Sequence, residues 1–230
     1  MPGVYKKFFM KSFIYKIFVV LFLFLASNNF VSAQPFAGDI ATFKKIDSTS
    51  FPPKNAILFI GSSSFTIWKD IQDYFPGYKI INRGFGGSSL PDVIRYEKDI
   101  IFPYHPKQIV IYCGENDLAG SDTVTSLIVL NRFKELFNDI RQRLPGVPLM
   151  FVSIKPSPSR QHLMLKMDFA NYLIKNYLAQ KQKTGFIDVY HLMLNADGTP
   201  MKDIFIGDNL HMNANGYKIW KKAIQPFLIK

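Results

Sequence analysis

Residues 56–64 read Ala-Ile-Leu-Phe-Ile-Gly-Ser-Ser-Ser, an unbroken apolar run that stops at a glycine followed by three serines. A short apolar run without polar alternation is typical of a strand buried on both faces, as strands are in a parallel sheet. Serines directly after a strand are suited to begin a helix. This stretch therefore predicts a buried strand that ends at a polar turn and leads into a helix.

The same alternation continues along the chain. Four further apolar runs predict strands at residues 79–81, 108–112, 148–154 and 186–189. Helical spacing between them predicts helices near residues 36–47, 64–74, 91–100, 124–144, 159–183 and 213–228. In the helix at 64–74, Ile67, Ile71 and Tyr74 should share one side. Gly185 should end the helix at 159–183. Strands that alternate with helices predict an α/β fold with a parallel sheet covered on both faces.

Unusual polar or Gly-rich segments follow these strands. Gly61–Ser64 follows the first strand, residues 84–87 the second and residues 114–117 the third, while Asp208 and His211 come after the fifth. The carboxyl ends of parallel strands share one edge of the sheet, which is where such folds bind ligands. We therefore expect all four segments to meet at one site.

Ser63, Asp208 and His211 form a candidate catalytic set. A serine hydroxyl needs a base to accept its proton and donors to hold the oxyanion that forms. Asp208 and His211 lie three residues apart, so the carboxylate can orient the imidazole within one loop. Taken singly, the serines are also explained as a helix cap and the Asp-His pair as a surface loop.

Gly87 and Asn116 are candidate oxyanion donors. Gly87 offers a backbone N–H that no side chain obstructs, and Asn116 offers an uncharged amide. A tight turn and a loop cap explain these two residues individually. Those separate explanations do not account for the placement of both residues on the same predicted edge.

The four segments together resemble the blocks of the SGNH (GDSL-type) hydrolase family. They are residues 60–63, 82–87, 114–117 and 208–211, in the family's order. The resemblance implies a flavodoxin-like three-layer α/β/α sandwich with a five-stranded parallel sheet, and ester hydrolysis through an acyl-enzyme on Ser63. It further implies that His211 is the base, that Asp208 orients it, and that Ser63, Gly87 and Asn116 form the oxyanion hole, with no metal or cofactor.

Two features leave roles open. Ser62 stands where the family usually has Asp, a Gly-Ser-Ser-Ser variant that makes Ser62 and Ser64 rival nucleophiles to Ser63. Arg160 follows the fourth strand and is a candidate for binding an anionic or sugar part of a substrate, the alternative being a surface arginine at a helix start. Trp68 is expected in the core rather than in a pocket.

The N-terminus has the pattern of a signal peptide. Four lysines precede an apolar run at residues 17–26, and Val31-Ser32-Ala33 predicts cleavage before Gln34. An uncleaved anchor is the alternative. We thus expect residues 1–33 to be a signal peptide, residues 34–55 an N-terminal segment and residues 56–230 the hydrolase domain, in an exported, periplasmic or extracellular protein without stable membrane insertion after cleavage.

The charge and the cysteine content of the chain limit which partners and which covalent links we expect. The chain carries a formal charge of +11, of which the four leader lysines contribute four, and its lysines are scattered. We therefore expect no nucleic-acid binding, although an anionic cell surface or acidic glycan could attract it. The single cysteine, Cys113, excludes an intrachain disulfide and is expected to be a buried thiol.

These observations predict a secreted serine esterase. Export and the lack of an obvious lid favour short-chain acyl esters, such as O-acetyl groups on a polysaccharide. The alternatives are a lipid or lysophospholipid esterase, and a non-catalytic glycan-binding module. A dinucleotide-binding protein is excluded, because Ser89 stands where the third glycine of that motif would fall.

Overall fold

The computed structural model of the protein describes residues 34–230. The predicted signal peptide, residues 1–33, lies outside the described residues. Within the described part of the chain, no helix is both long enough and apolar enough to span a bilayer.

Five parallel strands form one sheet, which confirms the fold class predicted from sequence. The strands are β1 (Ile57–Gly61), β2 (Ile80–Gly84), β3 (Gln108–Tyr112), β4 (Leu149–Val152) and β5 (Thr184–Ile187). Their order is β2-β1-β3-β4-β5, the flavodoxin-like order whose switch point lies between β1 and β3. In this register Gly61 pairs with Gly84 and with Tyr112, so the turns after these three strands begin side by side.

Eight α-helices of the described chain cover the two faces of this sheet. They are α1 (Ala37–Thr49), α2 (Ser63–Ile67), α3 (Ile71–Tyr74), α4 (Leu90–Ile100), α5 (Glu115–Ala119), α6 (Ser126–Arg143), α7 (Met164–Ala179) and α8 (Ala214–Ile224). Successive side chains of a strand point to opposite faces. Accordingly, Leu58 and Ile60 join the core beneath α1, α4, α6 and α7, whereas Ile57 and Phe59 join the core beneath α2, α3 and α8.

The helix predicted after residue 64 is two short helices instead, so that prediction was wrong in detail. The side chain of Asn82 donates to the carbonyl of Phe65 at 2.6 Å, and the N–H of Trp68 donates to the same carbonyl at 3.1 Å where α2 ends at Ile67. Ile67 is 40% exposed rather than on the buried side, while Trp68 turns into the core as expected. The last turn of α2 is thus bonded to β2 as well as to its own backbone.

The long helix predicted at residues 159–183 is also divided. A 3₁₀ turn at Pro158–Leu163 precedes α7, and α7 ends at Ala179. Gly185, predicted to end the helix, lies inside β5. A Cβ there would lie 2.5 Å from the sulfur of Met150, so close packing of β5 against β4 accounts for this glycine. Lys183 takes the left-handed backbone conformation, with φ 53°.

The first helix packs on the domain. Ile40 is buried in the core, and the ring of Phe36 meets the ring of Phe85 edge-on at 5.2 Å. Arg83 and Tyr104 both hydrogen-bond to the carboxylate of Asp47 at the end of α1. Cys113 is buried as predicted, and burial raises the pKa of its thiol well above the usual value.

Candidate active site

The turn after β1 determines which serine is accessible. Gly61 has φ 126°, and a Cβ at this position would lie 1.9 Å from the carbonyl oxygen of Tyr112, so only glycine fits. The N–H of Ser62 then donates to that carbonyl at 2.9 Å. Ser62 and Ser64 are 2% and 1% exposed, whereas Ser63 is only half-buried. Of the three serines, Ser63 therefore presents its hydroxyl to the site.

Ser63 lies next to the predicted acid–base pair. Its Oγ is 3.0 Å from Nε2 of His211, across 148 positions of sequence. Nδ1 of His211 is 2.5 Å from Oδ2 of Asp208. The three side chains form a continuous hydrogen-bonded chain, which is the arrangement that activates a serine nucleophile.

Hydrogen bonds hold Asp208 in its ionised form. Its partial burial favours the neutral acid, but the backbone N–H and ring of His211 and the N–H of Leu210 outweigh this effect and lower the pKa of Asp208 to about 2. An ionised Asp208 accepts the Nδ1 proton of His211. Nε2 is then left with a lone pair facing the Ser63 hydroxyl, as a general base requires.

Local bonds fix the loop that carries the pair. The N–H of Ile206 donates to the carbonyl of His211 at 2.8 Å, and Phe205 and Met212 form an antiparallel bridge. The side chain of Asn213 caps α8 by accepting from the N–H groups of Asn215 and Gly216. His211 is therefore anchored immediately before a stable helix.

A second pair has the same spacing. Nδ1 of His191 lies 2.8 Å from Oδ2 of Asp188, so Asp188 and His191 form the same local contact as Asp208 and His211. His191 is exposed, and in residues 34–230 only His211 contacts Ser63. The spacing alone does not distinguish the two pairs; the position of the serine does.

Asn116 bonds both to the serine turn after β1 and to the glycine-rich segment after β2. It lies in α5, and its Nδ2 donates to Oγ of Ser62 at 2.7 Å and to the carbonyl of Ser88 at 3.0 Å. The amide is thus placed between the neighbour of Ser63 and the neighbour of Gly87. Within residues 34–230, the backbone N–H groups of Ser63 and Gly87 donate to no protein acceptor. Both can therefore donate to a substrate oxygen.

The last residue of this block, Asp117, has a structural role. One carboxylate oxygen accepts from the N–H of Leu90 at 2.9 Å, at the first turn of α4, and the other is paired with Arg132 at 2.8 Å. Burial raises the pKa of Asp117, and these bonds oppose that effect. Asp117 thereby ties the segment around Gly87 to the Asn116 helix.

A charged cluster that the sequence did not predict lies beneath Asn116. Glu115 is buried and contacts Tyr112, Lys155 and Arg160. Burial by itself favours the neutral acid, but the charges of Lys155 and Arg160 lower the pKa of Glu115 below its usual value. The signal in the sequence was the position of Glu115 and Lys155 directly after β3 and β4, at the edge that carries the site.

Arg160 faces this cluster. Its Nη2 donates to Oδ1 of Asn116 at 3.0 Å, and its Nη1 lies 3.1 Å from Glu115. The structure thus brings Ser63, Asp208, His211, Asn116 and Arg160 to one edge, with Gly87 adjacent through Ser88. Direct binding of substrate by Arg160 stays a prediction.

The chain is similar in sequence to a known protein family. Residues 61–219 match the model of the GDSL-like Lipase/Acylhydrolase family. This range contains all the candidate site residues. No curated protein sequence matches the chain.

Solved structures share the fold. One is the structure named as a platelet activating factor from Streptococcus pneumonia. It is 20% identical, with a TM-score of 0.73, and the match covers 84% of this chain and 92% of that one. A GDSL-like lipase from Bacteroides thetaiotaomicron is 20% identical, with a TM-score of 0.68 and coverage of 81% and 95%. A catalytic mutant of an acetylxylan esterase from Geobacillus stearothermophilus is 15% identical, with a TM-score of 0.61 and coverage of 76% and 95%.

Proposed function

The chain belongs to the GDSL-like lipase/acylhydrolase family and is a carboxylic ester hydrolase, and from that premise we propose that Ser63, His211 and Asp208 are its catalytic residues. The observation that carries this proposal is the unbroken chain from Ser63 Oγ through His211 to Asp208, with distances of 3.0 Å and 2.5 Å.

Acylation begins with proton transfer. The Ser63 hydroxyl donates to Nε2 of His211, so its oxygen attacks the ester carbonyl as that proton moves to the ring. Asp208 remains ionised, stabilises the imidazolium and keeps Nδ1 protonated. The imidazolium then gives its proton to the departing alkoxide, which leaves an acyl group on Ser63.

The negative charge that forms on the carbonyl oxygen needs donors already in place. The N–H groups of Ser63 and Gly87 and the Nδ2 group of Asn116 supply them in this proposal. Asn116 shares its N–H groups between their existing acceptors, Ser62 Oγ and the Ser88 carbonyl, and the oxyanion as that charge develops. In the second half of the reaction, water attacks the acyl group with His211 again as the base.

We infer that the substrate is a short-chain acyl ester, most simply an O-acetyl group on a carbohydrate, and that the protein is exported. The support is the signal-peptide pattern at residues 1–33 and the short segments around the site. Similar folds include the acetylxylan esterase and a carbohydrate esterase family 3 structure from Talaromyces cellulolyticus. A hydroxyl-rich leaving group, as a carbohydrate provides, would also suit the polar side chains at this edge.

A lipid or lysophospholipid ester is the second candidate, favoured by one observation. Ile67, at the end of the helix that begins with Ser63, is 40% exposed, and Ile206, whose N–H bonds to His211, is 46% exposed. Apolar side chains on the segments that carry the nucleophile and base would contact an acyl chain. Hydrolysis rates of acetyl, butyryl and octanoyl p-nitrophenyl esters decide between the two: a preference for the octanoyl ester would exclude the acetylesterase assignment.

The catalytic assignment is tested with protein that begins at Gln34. The parent should hydrolyse p-nitrophenyl acetate and react with a fluorophosphonate, while Ser63→Ala should do neither. His211→Ala should lose about 10³-fold or more in kcat, and the matched variant His191→Ala should keep the parent rate. Labelling of Ser63→Ala would mean that Ser62 or Ser64 is the nucleophile. A parent inert in both assays that binds acetylated glycans would favour the non-catalytic binding module.

A further inference from the structure

The environment of Asn116 fixes which way its amide points. Arg160 has only donors, so the atom 3.0 Å from its Nη2 must be the amide oxygen. The Ser88 carbonyl has only acceptors, so the atom 3.0 Å from it must be the amide nitrogen. The reverse orientation would place donor against donor and acceptor against acceptor. The side chain is therefore held in the one orientation that turns its N–H groups toward the serine turn.

We propose that Arg160 is a positioning residue for the oxyanion donor: its guanidinium, itself held by Glu115, clamps and polarises the amide of Asn116. This inference rests on the proposed function of Ser63 and assigns Arg160 a role that the sequence did not. Arg160 acts through Asn116 and needs no contact with the substrate.

Glu115 and Lys155 make the clamp rigid. Glu115 lies in α5 beside Asn116, and its carboxylate is 3.1 Å from both Arg160 and Lys155. The Tyr112 hydroxyl also donates to it. A buried carboxylate with three donors is fully engaged and has little freedom to move. The guanidinium that it holds is thus fixed relative to the helix that carries Asn116.

The cluster also has an electrostatic consequence. Two cationic side chains, Lys155 and Arg160, face one carboxylate, and Lys155 and Glu115 are nearly excluded from solvent. Positive charge against the amide oxygen draws electron density from the nitrogen and makes its hydrogens stronger donors. Such charge, preorganised behind a donor in a poorly solvated site, stabilises the transition state more than the ground state.

The 3₁₀ turn that carries Arg160 contacts both the loop of Asp208 and His211 and the side chain of Asn116. The N–H of Ser159 donates to the carbonyl of Asn209 at 3.1 Å, in the loop between Asp208 and His211. The neighbouring Arg160 side chain reaches Asn116. One short segment after β4 therefore contacts both the acid–base loop and the oxyanion donor.

A double-mutant cycle tests the proposal. Arg160→Met should lower kcat for p-nitrophenyl acetate by about 10- to 30-fold, with KM changed less than about 3-fold, because only transition-state binding is lost. In an Asn116→Ala background the same substitution should change kcat by less than about 2-fold. Additive effects of the two substitutions, or a large rise in KM at constant kcat, would overturn the proposal and indicate that Arg160 binds substrate.

Two further measurements separate this result from misfolding and from the catalytic assignment. Arg160→Lys keeps the charge but cannot span Glu115 and Asn116 as the planar fork does, so it should recover only part of kcat. The side-chain NH₂ resonances of Asn116, assigned by their loss in Asn116→Ala, should shift in Arg160→Met whether or not the enzyme is active. Unchanged resonances in a folded Arg160→Met protein would contradict the clamp even if Ser63 proves to be the nucleophile.

Discussion

The hydroxyl of Ser62 accepts a hydrogen bond of 2.7 Å from the side-chain amide of Asn116. By the resemblance drawn from the sequence, Ser62 occupies the position that is usually Asp. A serine hydroxyl accepts a hydrogen bond without carrying a charge, so this contact holds the Asn116 amide with no carboxylate beside the serine turn. Ser62 is thus an acceptor for Asn116, and its burial leaves its hydroxyl less accessible than that of Ser63.

We first predict the effect of removing that acceptor. Ser62→Ala should lower kcat about 3- to 10-fold, because the Asn116 amide loses one of the partners that hold it, and should still react with a fluorophosphonate. Steady-state kinetics and active-site labelling measure this. Complete loss of labelling in a folded Ser62→Ala protein would mean that Ser62, not Ser63, is the nucleophile.

Asp208 and Asp188 provide a matched pair of substitutions. Asp208→Asn should reduce kcat by about 10²- to 10⁴-fold, because an amide that donates to Nδ1 leaves His211 in the wrong tautomer. Asp188→Asn removes the same local contact from His191 and should leave kcat unchanged. Parallel kinetics on the two variants check the assignment, and comparable losses in both would contradict it.

The low pKa of Asp208 also predicts how stability depends on pH. Its pKa falls from 3.8 to about 2 on folding, so the ionised carboxylate favours the folded state. That contribution is complete above about pH 4 and is lost as the pH falls toward about 2, where the folded protein also becomes protonated. Urea unfolding of the parent and Asp208→Asn should give a stability difference that shrinks over this interval. A difference that instead grows as the pH falls would contradict it.

The strands and the edge that carries the site could be predicted because their signals are local. A strand buried on both faces must be apolar throughout, and the polar turn that follows it stands out, as at Ile57–Gly61. The boundaries that were wrong lie where the chain contacts distant residues. The last turn of α2 is bonded by Asn82, and Gly185 packs against Met150. No periodicity in the sequence reports such contacts.

In the site, too, some features could be predicted from local sequence and others depend on distant contacts. The proximity of Ser63, Asn116, Asp208 and His211 was expected from their residue types and from segments that follow the first, third and fifth strands. The partner of Arg160 does not, because Asn116 is 44 residues away and an arginine after a strand suits a substrate equally well. The pair Asp188 and His191 likewise has the spacing of a catalytic pair, and what sets it apart is that His211, not His191, bonds to Ser63.

Alanine substitutions at Gly61 and Gly77 separate the steric cost of an added Cβ from the cost of a left-handed backbone. Gly61→Ala places Cβ 1.9 Å from a strand carbonyl and should prevent normal folding, because β1 and β3 cannot both keep their positions. Gly77→Ala is the control: its φ is also positive, at 86°, but nothing lies within 4 Å. It should cost only about 1 kcal/mol for the left-handed backbone. Soluble yield and thermal unfolding compare the two, and equal stability would contradict the predicted clash.

Arg83 ties the first helix to the sheet through the carboxylate of Asp47. Nε of Arg83 donates to the Tyr104 hydroxyl at 2.6 Å, and that hydroxyl donates to Asp47 at 2.5 Å, while the guanidinium pairs with the same carboxylate. Burial and the bond to Asp47 raise the pKa of Tyr104 to about 12. The cluster is therefore an arginine, a carboxylate and a neutral phenol, all largely buried.

Arg83→Met should destabilise the fold by about 3–5 kcal/mol, because it leaves the Asp47 carboxylate buried without its cation. Asp47→Asn in the same chain removes that charge, so the double variant should be more stable than Arg83→Met alone. Urea unfolding at neutral pH measures both. The pair lies outside the catalytic chain, so kcat of the folded fraction should stay within about 3-fold of the parent. A double variant no more stable than Arg83→Met would mean that packing of the arginine against Phe43 and Tyr104, rather than the ion pair, anchors the helix.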